Sequence, residues 1–277
     1  MDRFLYVTLG VAVLLAAVYF VLCFPGAKKG RRIKDSLCVN YAHRGLWGGD
    51  APENSLVAFD RAAKAGFGIE LDVQLSRDGE VMVFHDYTLN RMTGVDGKLC
   101  DLTADELGRL CLGGTNEHIP TLREVLAIVD GRVPLLVELK GERLDAKLCP
   151  KVYSIMKEYK GEYVVESFNP MLLRGYKKLA PEVKRGQLVT ALCKEKKRSV
   201  LNFLLDNMLF SFLAKPDFVA FDLKHGNSAP IVIATGLWKL EKFVWTVRTR
   251  EDVESAKKYN AKMIFEGDAT EYIDREV

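Results

Sequence analysis

Short apolar runs alternate with segments of helical periodicity along most of the chain. Strands are predicted at 38–42, 68–75, 133–139, 163–167, 186–190, 218–221, 242–247 and 262–266. Helices are predicted between most of them, at 55–66, 171–180, 201–213 and 250–259, and directly after Thr121. Eight strands interleaved with helices in about 240 residues are typical of a (β/α)8 barrel, the TIM barrel of the α/β class.

One further apolar run, 81–84, is left outside the barrel. It follows Asp78-Gly79, a signal for a tight turn. So short a turn joins antiparallel strands, because parallel neighbours need a crossover of about a dozen residues. We therefore expect 81–84 to pair with the second strand as a ribbon on the barrel rim. An irregular insertion at about 86–120, with a short helix near 104–110, follows it.

The first segment of the chain is apolar throughout. From Phe4 to Phe24 it runs 21 residues without a charge. As a helix, this segment would span about 31 Å, which matches the hydrocarbon core of a bilayer. A cleaved signal peptide is disfavoured, because the run is longer than a usual signal core and no Ala-x-Ala site precedes Pro25. We predict one transmembrane helix, and hence an anchor (1–25), a basic linker (26–37) and a barrel domain (38–277).

The charges that follow the apolar segment predict its orientation. Five basic residues lie in the linker, and by the positive-inside rule their side of the membrane is the cytoplasm. They are Lys28, Lys29, Arg31, Arg32 and Lys34. We expect a single-pass protein of the cell membrane, with a short amino terminus outside and the barrel in the cytoplasm.

Composition excludes several classes of protein. The 277 residues are 48% hydrophobic and 28% charged, which suits a folded domain with a large core. A net charge of only +3 argues against nucleic-acid binding, so the expected partner is a small molecule or a membrane. Six cysteines without a C-x-x-C spacing argue against a zinc site or a disulfide scaffold and favour a reducing compartment.

Two carboxylates share one face of the second predicted strand. Glu70 and Asp72 are two residues apart, so the alternation of a strand places both side chains on the same side. Like charges this close are unfavourable unless a cation or a proton lies between them. The tight turn that follows would bring His85 and Asp86 back towards the two carboxylates.

A third carboxylate follows the same logic on the next barrel strand. Glu138 lies two residues before Lys140, inside an otherwise apolar run from Val133. Active sites of TIM barrels lie at the carboxyl ends of the strands, which is where Glu70, Asp72 and Glu138 fall. Carboxylates on adjacent strands are suitable ligands for a hard divalent cation, so we predict a Mg2+ or Ca2+ site there.

Eight short motifs occur along the chain in a fixed order. They are His43-Arg44-Gly45, Pro52-Glu53-Asn54-Ser55, Glu70-Leu71-Asp72-Val73, Val83-Phe84-His85-Asp86, Pro120-Thr121-Leu122, Val137-Glu138-Leu139-Lys140, Ser167-Phe168-Asn169 and Val244-Trp245-Thr246-Val247. In this order they resemble the motifs of the glycerophosphodiester phosphodiesterase family, and the resemblance covers roughly 41–247. It implies a metal-dependent barrel that cleaves a glycerophosphodiester, such as glycerophosphocholine, into glycerol 3-phosphate and an alcohol.

The chemistry of phosphodiester cleavage suggests roles for the motif residues. An anionic diester needs its oxygens neutralised, which the metal, Arg44 and Lys140 would do. A hydroxyl nucleophile must lose a proton and the leaving alkoxide must gain one, and we assign His43 and His85 as this acid/base pair without ordering them. Trp245 is assigned to the substrate site, with packing at the barrel mouth as the alternative.

The resemblance also suggests that the substrate's own glycerol hydroxyl attacks first and that water then opens a cyclic phosphate. Lys140 has a simpler alternative, an ion pair with Glu138. His118 and His225 lie outside the motifs and are expected to be structural.

Two positions depart from the family pattern. The last strand usually ends in Thr-Asp, but here it reads Glu266-Gly267-Asp268. Arg248 stands where an Asn is common. Since the predicted metal and histidine positions are intact, we expect these departures to affect the choice of substrate before they affect activity.

Two other functions are compatible with the sequence. Lysophospholipase D or phospholipase C-like cleavage of a membrane lipid phosphodiester would use the same residues, and a membrane anchor favours a lipid substrate such as a lysophospholipid. The second alternative is a membrane-anchored barrel that binds without catalysis. The complete set of His, Glu and Asp residues argues against that alternative.

Overall fold

The chain folds into a closed barrel of eight parallel strands, which confirms the predicted TIM barrel. The computed structural model describes residues 2–26, 32–141, 146–195 and 198–273. The strands in these residues are β1 (Tyr41–Ala42), β2 (Gly68–Leu75), β3 (Val81–Val83), β4 (Leu135–Leu139), β5 (Tyr163–Ser167), β6 (Arg185–Val189), β7 (Phe218–Asp222), β8 (Glu241–Val247) and β9 (Lys262–Phe265). All but β3 belong to the barrel, which closes where Tyr41 of β1 lies opposite both Gly68 and Ile264.

Helices surround the barrel and form its rim. They are α1 (Asp2–Cys23), α2 (Leu56–Ala65), α3 (Asn90–Thr93), α4 (Ala104–Leu107), α5 (Leu122–Val129), α6 (Leu148–Met156), α7 (Pro170–Leu179), α8 (Leu192–Glu195), α9 (Val200–Asp206), α10 (Ser211–Ala214), α11 (Ala229–Gly236) and α12 (Arg250–Tyr259). Short 3-10 helices lie at Asp35–Leu37, Leu99–Asp101, Leu223–His225 and Gly267–Tyr272.

Local sequence sets the ends of several outer helices. The Ser55 hydroxyl accepts a hydrogen bond from the backbone N–H of Ala58 and so begins α2, which ends at Gly66 in a left-handed conformation with a φ of 79°. Thr121 and Thr249 begin α5 and α12, each in a reciprocal capping arrangement with the third residue of its helix. These signals place the helices where they cover the apolar outer faces of the strands.

One apolar core lies between the strands and the outer helices, and a second fills the inside of the barrel. Tyr41, Phe218 and Phe243 pack there with their rings in contact. Ile33 and Leu37, which precede β1, are buried in the same core, and the Tyr41 hydroxyl donates a hydrogen bond to the Leu37 carbonyl. Apolar side chains therefore fill much of the barrel interior.

The strand β3 pairs antiparallel with β2, with Val73 opposite Val83, as the turn before it predicts. The insertion that follows has a small core of its own. Its buried members are Met82, Phe84, Leu89, Leu99, Leu107, Leu112 and Ile119. This core fixes the ribbon and the insertion to the rim of the barrel.

The helices differ from the prediction in several places, and the one-turn helices α3 and α8 were not predicted. The helix expected at 201–213 is divided into α9 and α10, because Met208 between them has a left-handed φ of 54°. Helix α6 was not predicted. It contains Pro150, which is tolerated because it lies in the first turn, where a missing backbone N–H breaks no hydrogen bond within the helix. Helix α11 was also missed, because its run of apolar residues has no charged face and therefore no visible period of 3.6 residues.

The apolar helix predicted at the amino terminus is present as α1. Its mean hydropathy reaches 2.5 over 18 residues that are not buried, and it is long enough to cross a membrane. Its end packs against the barrel, where the ring centroids of Phe24 and Trp238 lie 5.2 Å apart. The linker residues Lys28, Lys29 and Arg31 lie outside the described residues, whereas Arg32 and Lys34 are exposed.

Candidate active site

Three carboxylates meet at the carboxyl end of the barrel. Glu70 and Asp72 extend from β2, and Glu138 extends from β4, where it lies directly opposite Asp72 in the parallel register. One oxygen atom of each lies within 4.8 Å of the others, and all three side chains are buried. The structure therefore brings together the three residues that the sequence analysis selected as metal ligands.

Two cations lie against this cluster. The Lys140 Nζ atom is 2.9 Å from Glu138 Oε1 and 3.1 Å from Asp72 Oδ1, and Arg44 Nε is 3.6 Å from Asp72 Oδ2. Burial by itself would raise the pKa of Asp72, but the positive charges of Lys140, His85 and Arg44 outweigh it and hold that pKa well below its usual range. Asp72 is therefore a carboxylate at neutral pH.

Glu70 and Glu138 behave differently from Asp72. Burial is the main cause that raises their pKa values, and neighbouring carboxylates add to it, so that the pKa of Glu70 is well above its usual value and that of Glu138 is about 7. The cluster thus holds more acidic groups than its cations neutralise. A set of three carboxylate groups in this condition fits a hard divalent cation, which would take the place of the bound protons.

The loop after β1 holds the cluster in place. Arg44 and Asn54 both adopt left-handed φ angles, 58° and 57°. The backbone N–H of Arg44 donates to Glu70 Oε2 over 2.8 Å, and the Asn54 amide donates to Asp72 Oδ2 over 2.9 Å. Gly45 is required here, because a Cβ atom at that position would lie 2.9 Å from the backbone of Ala58.

His43 lies at the end of β1 with a carboxylate behind it. Its Nδ1 atom is 2.5 Å from Glu266 Oε2, and Glu266 Oε1 in turn accepts from Arg248 Nε over 2.6 Å. Burial lowers the pKa of His43, and the Glu266 carboxylate offsets part of that effect. Burial works against the ionisation of Glu266, but hydrogen bonding and the charges of His43 and Arg248 lower its pKa to about 2.

Of the two positions that depart from the family pattern, Glu266 therefore contacts both Arg248 and His43. These contacts were not predicted, because Glu266 and Arg248 lie more than 200 residues after His43. A signal was nevertheless present, since both departures fall at the ends of neighbouring barrel strands, β8 and β9.

His85 is held in a similar way on the other side of the mouth. Its Nδ1 atom is 2.6 Å from Asp86 Oδ1, and Asp86 Oδ2 accepts from Arg91 Nε over 2.5 Å. The Gln74 side chain fixes this segment by donating to the Phe84 and Asp86 carbonyls, both over 2.8 Å. Burial lowers the pKa of His85, and the negative charge of Asp72 counteracts it. In both histidines, Nε2 is the ring atom available to a substrate.

Glu53 connects the two halves of the site. Its carboxylate accepts from Arg44 over 2.8 Å and from Arg91 over 2.5 and 3.0 Å. Glu53 was given no role beyond its motif, because its partner Arg91 lies in the insertion. Glu53 links the loop after β1 to the segment that carries His85.

The opposite wall of the mouth is aromatic. Trp245 and Phe168 pack edge to face with their centroids 5.6 Å apart. The Trp245 Nε1 atom is buried and has no hydrogen-bond partner among the described residues. Glu166, next to Glu138 in register, is buried as well, and burial followed by the charge of Glu138 raises its pKa. Glu166 was missed as a site residue, although it lies in an apolar strand just as Glu138 does.

A TIM barrel with clustered carboxylates, paired cations and two carboxylate-backed histidines at its mouth has the features of a metal-assisted hydrolase. Comparison with known proteins gives the class more closely. Residues 43–270 match the model of the glycerophosphoryl diester phosphodiesterase family. The chain belongs to this family and is a phosphoric diester hydrolase.

Curated relatives agree with this assignment. A glycerophosphodiester phosphodiesterase of Caldanaerobacter subterraneus subsp. tengcongensis is 35% identical over 225 residues, which cover 77% of this chain and 87% of that protein. Glycerophosphodiester phosphodiesterase 1 of Rattus norvegicus is 30% identical over 253 residues, which cover 76% of this chain and 72% of that protein. Because the chain belongs to an enzyme family, the alternative of a barrel that binds without catalysis is no longer supported.

Solved structures share the fold. A phosphodiesterase of Oleispira antarctica in complex with the product sn-glycerol-3-phosphate has a TM-score of 0.69 and 25% identity, and the match covers 84% of this chain and 94% of that one. The glycerophosphodiester phosphodiesterase of Thermotoga maritima has a TM-score of 0.62 and 28% identity, with coverage of 83% and 94%.

Proposed function

We propose that the protein hydrolyses a glycerophosphodiester to glycerol 3-phosphate and an alcohol. One observation carries the proposal: three buried carboxylates converge at the same barrel mouth as two histidines that are each backed by a carboxylate. The relative from Oleispira antarctica, whose structure holds sn-glycerol-3-phosphate, supports the same product for this chain.

In this proposal the divalent cation, Mg2+ or Ca2+, is held by Glu70, Asp72 and Glu138. When bound, it would supply positive charge to the phosphoryl oxygens. Arg44 and Lys140 add to that charge from the protein. Arg44 suits a diester through its forked donors, and Lys140 is fixed as a cation because Asp72 and Glu138 raise its pKa despite burial.

The histidines move the protons of the reaction. One imidazole accepts the proton of the attacking glycerol hydroxyl, the new bond from oxygen to phosphorus forms, and the bond from phosphorus to the alcohol oxygen breaks. The other histidine gives its proton to the leaving alkoxide, and a cyclic phosphate results. Water then opens the ring with the two histidines in exchanged roles. Burial lowers the pKa values of both, which favours the neutral imidazole that a base requires.

Trp245 is proposed as the wall against which the substrate packs. Its ring packs on Phe168 near the carboxyl end of β8. An aromatic wall would contact the carbon skeleton of a glycerol group or the methyl groups of a choline group.

Lysophospholipase D or phospholipase C-like activity on a membrane lipid is the second candidate function. The observation that favours it is α1, an exposed apolar helix whose length matches a bilayer. Rates on glycerophosphocholine, lysophosphatidylcholine and phosphatidylinositol, compared with the same enzyme and metal, would distinguish the candidates. A higher rate on lysophosphatidylcholine would favour the lipid substrate.

The proposed placement in the cell follows from the same helix. Residues 1–25 would anchor the protein in the cell membrane as a single span, 26–37 would be the linker, and 38–277 would form the catalytic domain in the cytoplasm. The exposed basic residues Arg32 and Lys34 after the helix support this orientation.

The test is a matrix of metals and substrates with the full chain in detergent, read by the release of glycerol 3-phosphate. His43→Ala and His85→Ala should each lower kcat by at least about 100-fold, because a positioned acid or base contributes that much. His118→Ala is the matched control, since His118 lies near the end of the insertion and pairs with Glu124, 3.1 Å away. Near-normal rates in both active-site variants would refute the mechanism.

A further inference from the structure

Exposed apolar side chains are concentrated on one side of the barrel. Among the described residues outside 2–24, the large hydrophobic side chains that are more than half exposed are Val200 (77%), Phe203 (56%), Leu237 (54%) and Val232 (52%). Leu201, at 45%, lies in α9, and Phe212, at 37%, lies in the adjoining α10. We call these six residues the apolar face. It belongs to α9, α10, α11 and the residue that follows α11.

The helices of this face differ from an ordinary outer helix. Helix α12 has the sequence REDVESAKKY, with six charged residues, and it buries Val253 and Ala256 against the barrel. Helix α9 has the sequence VLNFLLD and buries no residue, and α11 contains no charged residue. Apolar side chains that cover no core and meet water are unfavourable, and a group of them marks an interaction surface.

The end of α1 packs against the same helices. Cys23 Sγ donates a hydrogen bond to the carbonyl of Asn207, which directly follows α9, over 3.3 Å. The ring centroids of Phe20 and Phe24 lie 6.3 and 5.2 Å from that of Trp238, which follows α11. A membrane that contains α1 would thus begin beside the apolar face. Trp238 is the type of residue that is enriched at membrane–water interfaces.

The charges near the face also suit a lipid surface. The acidic residue of the α9–α10 stretch, Asp206, accepts hydrogen bonds from the backbone N–H groups of Leu192 and Cys193, both over 2.9 Å. Its charge is therefore engaged in holding α8. Lys215 and Lys239, by contrast, are exposed at the ends of α10 and α11, where they can meet anionic head groups.

We propose that the apolar face lies on the surface of the bilayer that α1 enters. This inference rests on the membrane placement proposed above. The barrel would then be held against the membrane by two attachments, the α1 span and the apolar face. This docking would lay the outer wall formed by α9, α10 and α11 on the lipid head groups.

The test uses three variants of the full chain, each with one added tryptophan. The fluorescence of each variant is measured in vesicles with and without brominated lipids, and the fluorescence of the parent protein is subtracted. Phe203→Trp reports the apolar face. Leu14→Trp reports insertion of α1. Ala127→Trp is the matched control, because Ala127 is exposed on α5, which packs beside α2 on another part of the barrel.

A face buried in the interfacial layer lies within reach of bromines on the acyl chains. We expect the bromines to remove more than about half of the fluorescence added at 203 and at 14, and less than about a tenth of that added at 127. Quenching at 14 without quenching at 203 would overturn the docking. A second copy of the chain that covered the face in place of lipid would give this same result, quenching at 14 alone.

The failure of the inference is separable from that of the proposed function. No quenching at 14 would overturn the membrane placement and the docking with it, whereas release of glycerol 3-phosphate would still report the hydrolysis. As a second measurement, Val200→Asp combined with Phe203→Asp should lower the rate on vesicle-bound lysophosphatidylcholine by at least about tenfold relative to the rate on glycerophosphocholine, because charges weaken interfacial binding. An unchanged ratio would count against the docking.

Discussion

Two regions of this barrel reverse the usual distribution of side chains, in opposite directions. At the mouth, Asp72 and Lys140 are charged, but their side chains are only 1% and 8% exposed. On the outer wall, Val200 and Phe203 are apolar and are 77% and 56% exposed. Buried charges and exposed apolar groups are each unfavourable without a partner. The two ligands proposed for these regions are accordingly of opposite chemistry, an ionic one at the mouth and a lipid surface at the wall.

The regions differ in how much they depend on the rest of the protein. The mouth residues are partners of one another, through the contacts of Lys140 with Asp72 and Glu138 and of Glu53 with Arg44 and Arg91. The exposed residues of α9 cover no core. Substitutions at the mouth should therefore change both stability and activity, whereas substitutions on the wall should leave the fold intact.

The largest effect on stability is expected for Lys140→Met. It leaves Asp72 and Glu138 as buried acids without their nearest cation, so the free energy of unfolding should fall by about 3–5 kcal/mol in metal-free protein. Denaturant unfolding with a chelator present measures the change. Lys64→Ala is the matched control, because Lys64 forms an exposed ion pair with Asp60, and its loss should cost at most about 1 kcal/mol. Equal effects of the two changes would contradict the account.

Glu266→Ala should impair catalysis more than folding. Loss of the carboxylate behind His43 removes its orienting hydrogen bond, and a misplaced catalytic group can cost about 100-fold in rate. It also removes an interaction that raises the pKa of His43, so the limb of the pH–rate profile that reports His43 should move to lower pH. The matched control is Glu271→Ala, an exposed acid in the same 3-10 helix region. If the rate fell but the pH–rate profile did not move, Glu266 would have only a structural role and would not set the pKa of His43.

The stability of the metal-free protein should depend on pH in a defined direction. The folded-state pKa values of Glu70 and Glu138 are raised, in Glu138 to about 7, above the ordinary value of 4.5. At these two groups the folded state therefore binds protons that the unfolded chain has already lost, so their contribution to stability should fall as pH rises from about 4.5 through 7. His43 and His85, whose pKa values are lowered from 6.5, contribute in the opposite direction, so the comparison is made in the His43→Ala, His85→Ala double variant. Melting temperatures measured with a chelator at pH 5 and pH 8 test this prediction. Saturating Mg2+ or Ca2+ should reduce the loss, and stability that rises over this range would contradict it.

The smallest effect on stability is expected on the outer wall. Phe203→Asp should change the free energy of unfolding by no more than about 0.5 kcal/mol, because surface substitutions away from packed features are nearly neutral. The same denaturant measurement used for Lys140→Met provides the comparison. A loss above about 2 kcal/mol would show that Phe203 is part of the packed core and would weaken the contrast between the two regions.

The sequence predicts the barrel and the metal site for the same physical reason. Strands buried on both faces read as apolar runs, so the acids Glu70, Asp72 and Glu138 are conspicuous within them. A period of two residues then places Glu70 and Asp72 on one side, and parallel register places Glu138 beside Asp72, as observed. Local signals therefore suffice where a strand determines which way its side chains point.

Contacts between distant segments could not be predicted in this way. The pairing of His43 with Glu266 depends on the closure of the barrel by β1 and β9. The pairing of Glu53 with Arg91 depends on how the insertion folds over the mouth. No periodicity reports either event. The division of the helix at 201–213 was missed because the left-handed position is taken by Met208 itself and not by a glycine or an asparagine.

The central claim is that Glu70, Asp72 and Glu138 together hold the cation that the reaction uses. Crystals of the active enzyme soaked in Mn2+ or Ca2+ and measured for anomalous scattering test it most directly. The account predicts one strong peak within about 2.0–2.6 Å of an oxygen from each of the three residues. A peak elsewhere in the mouth, or none at this cluster in an enzyme that requires the metal, would contradict it.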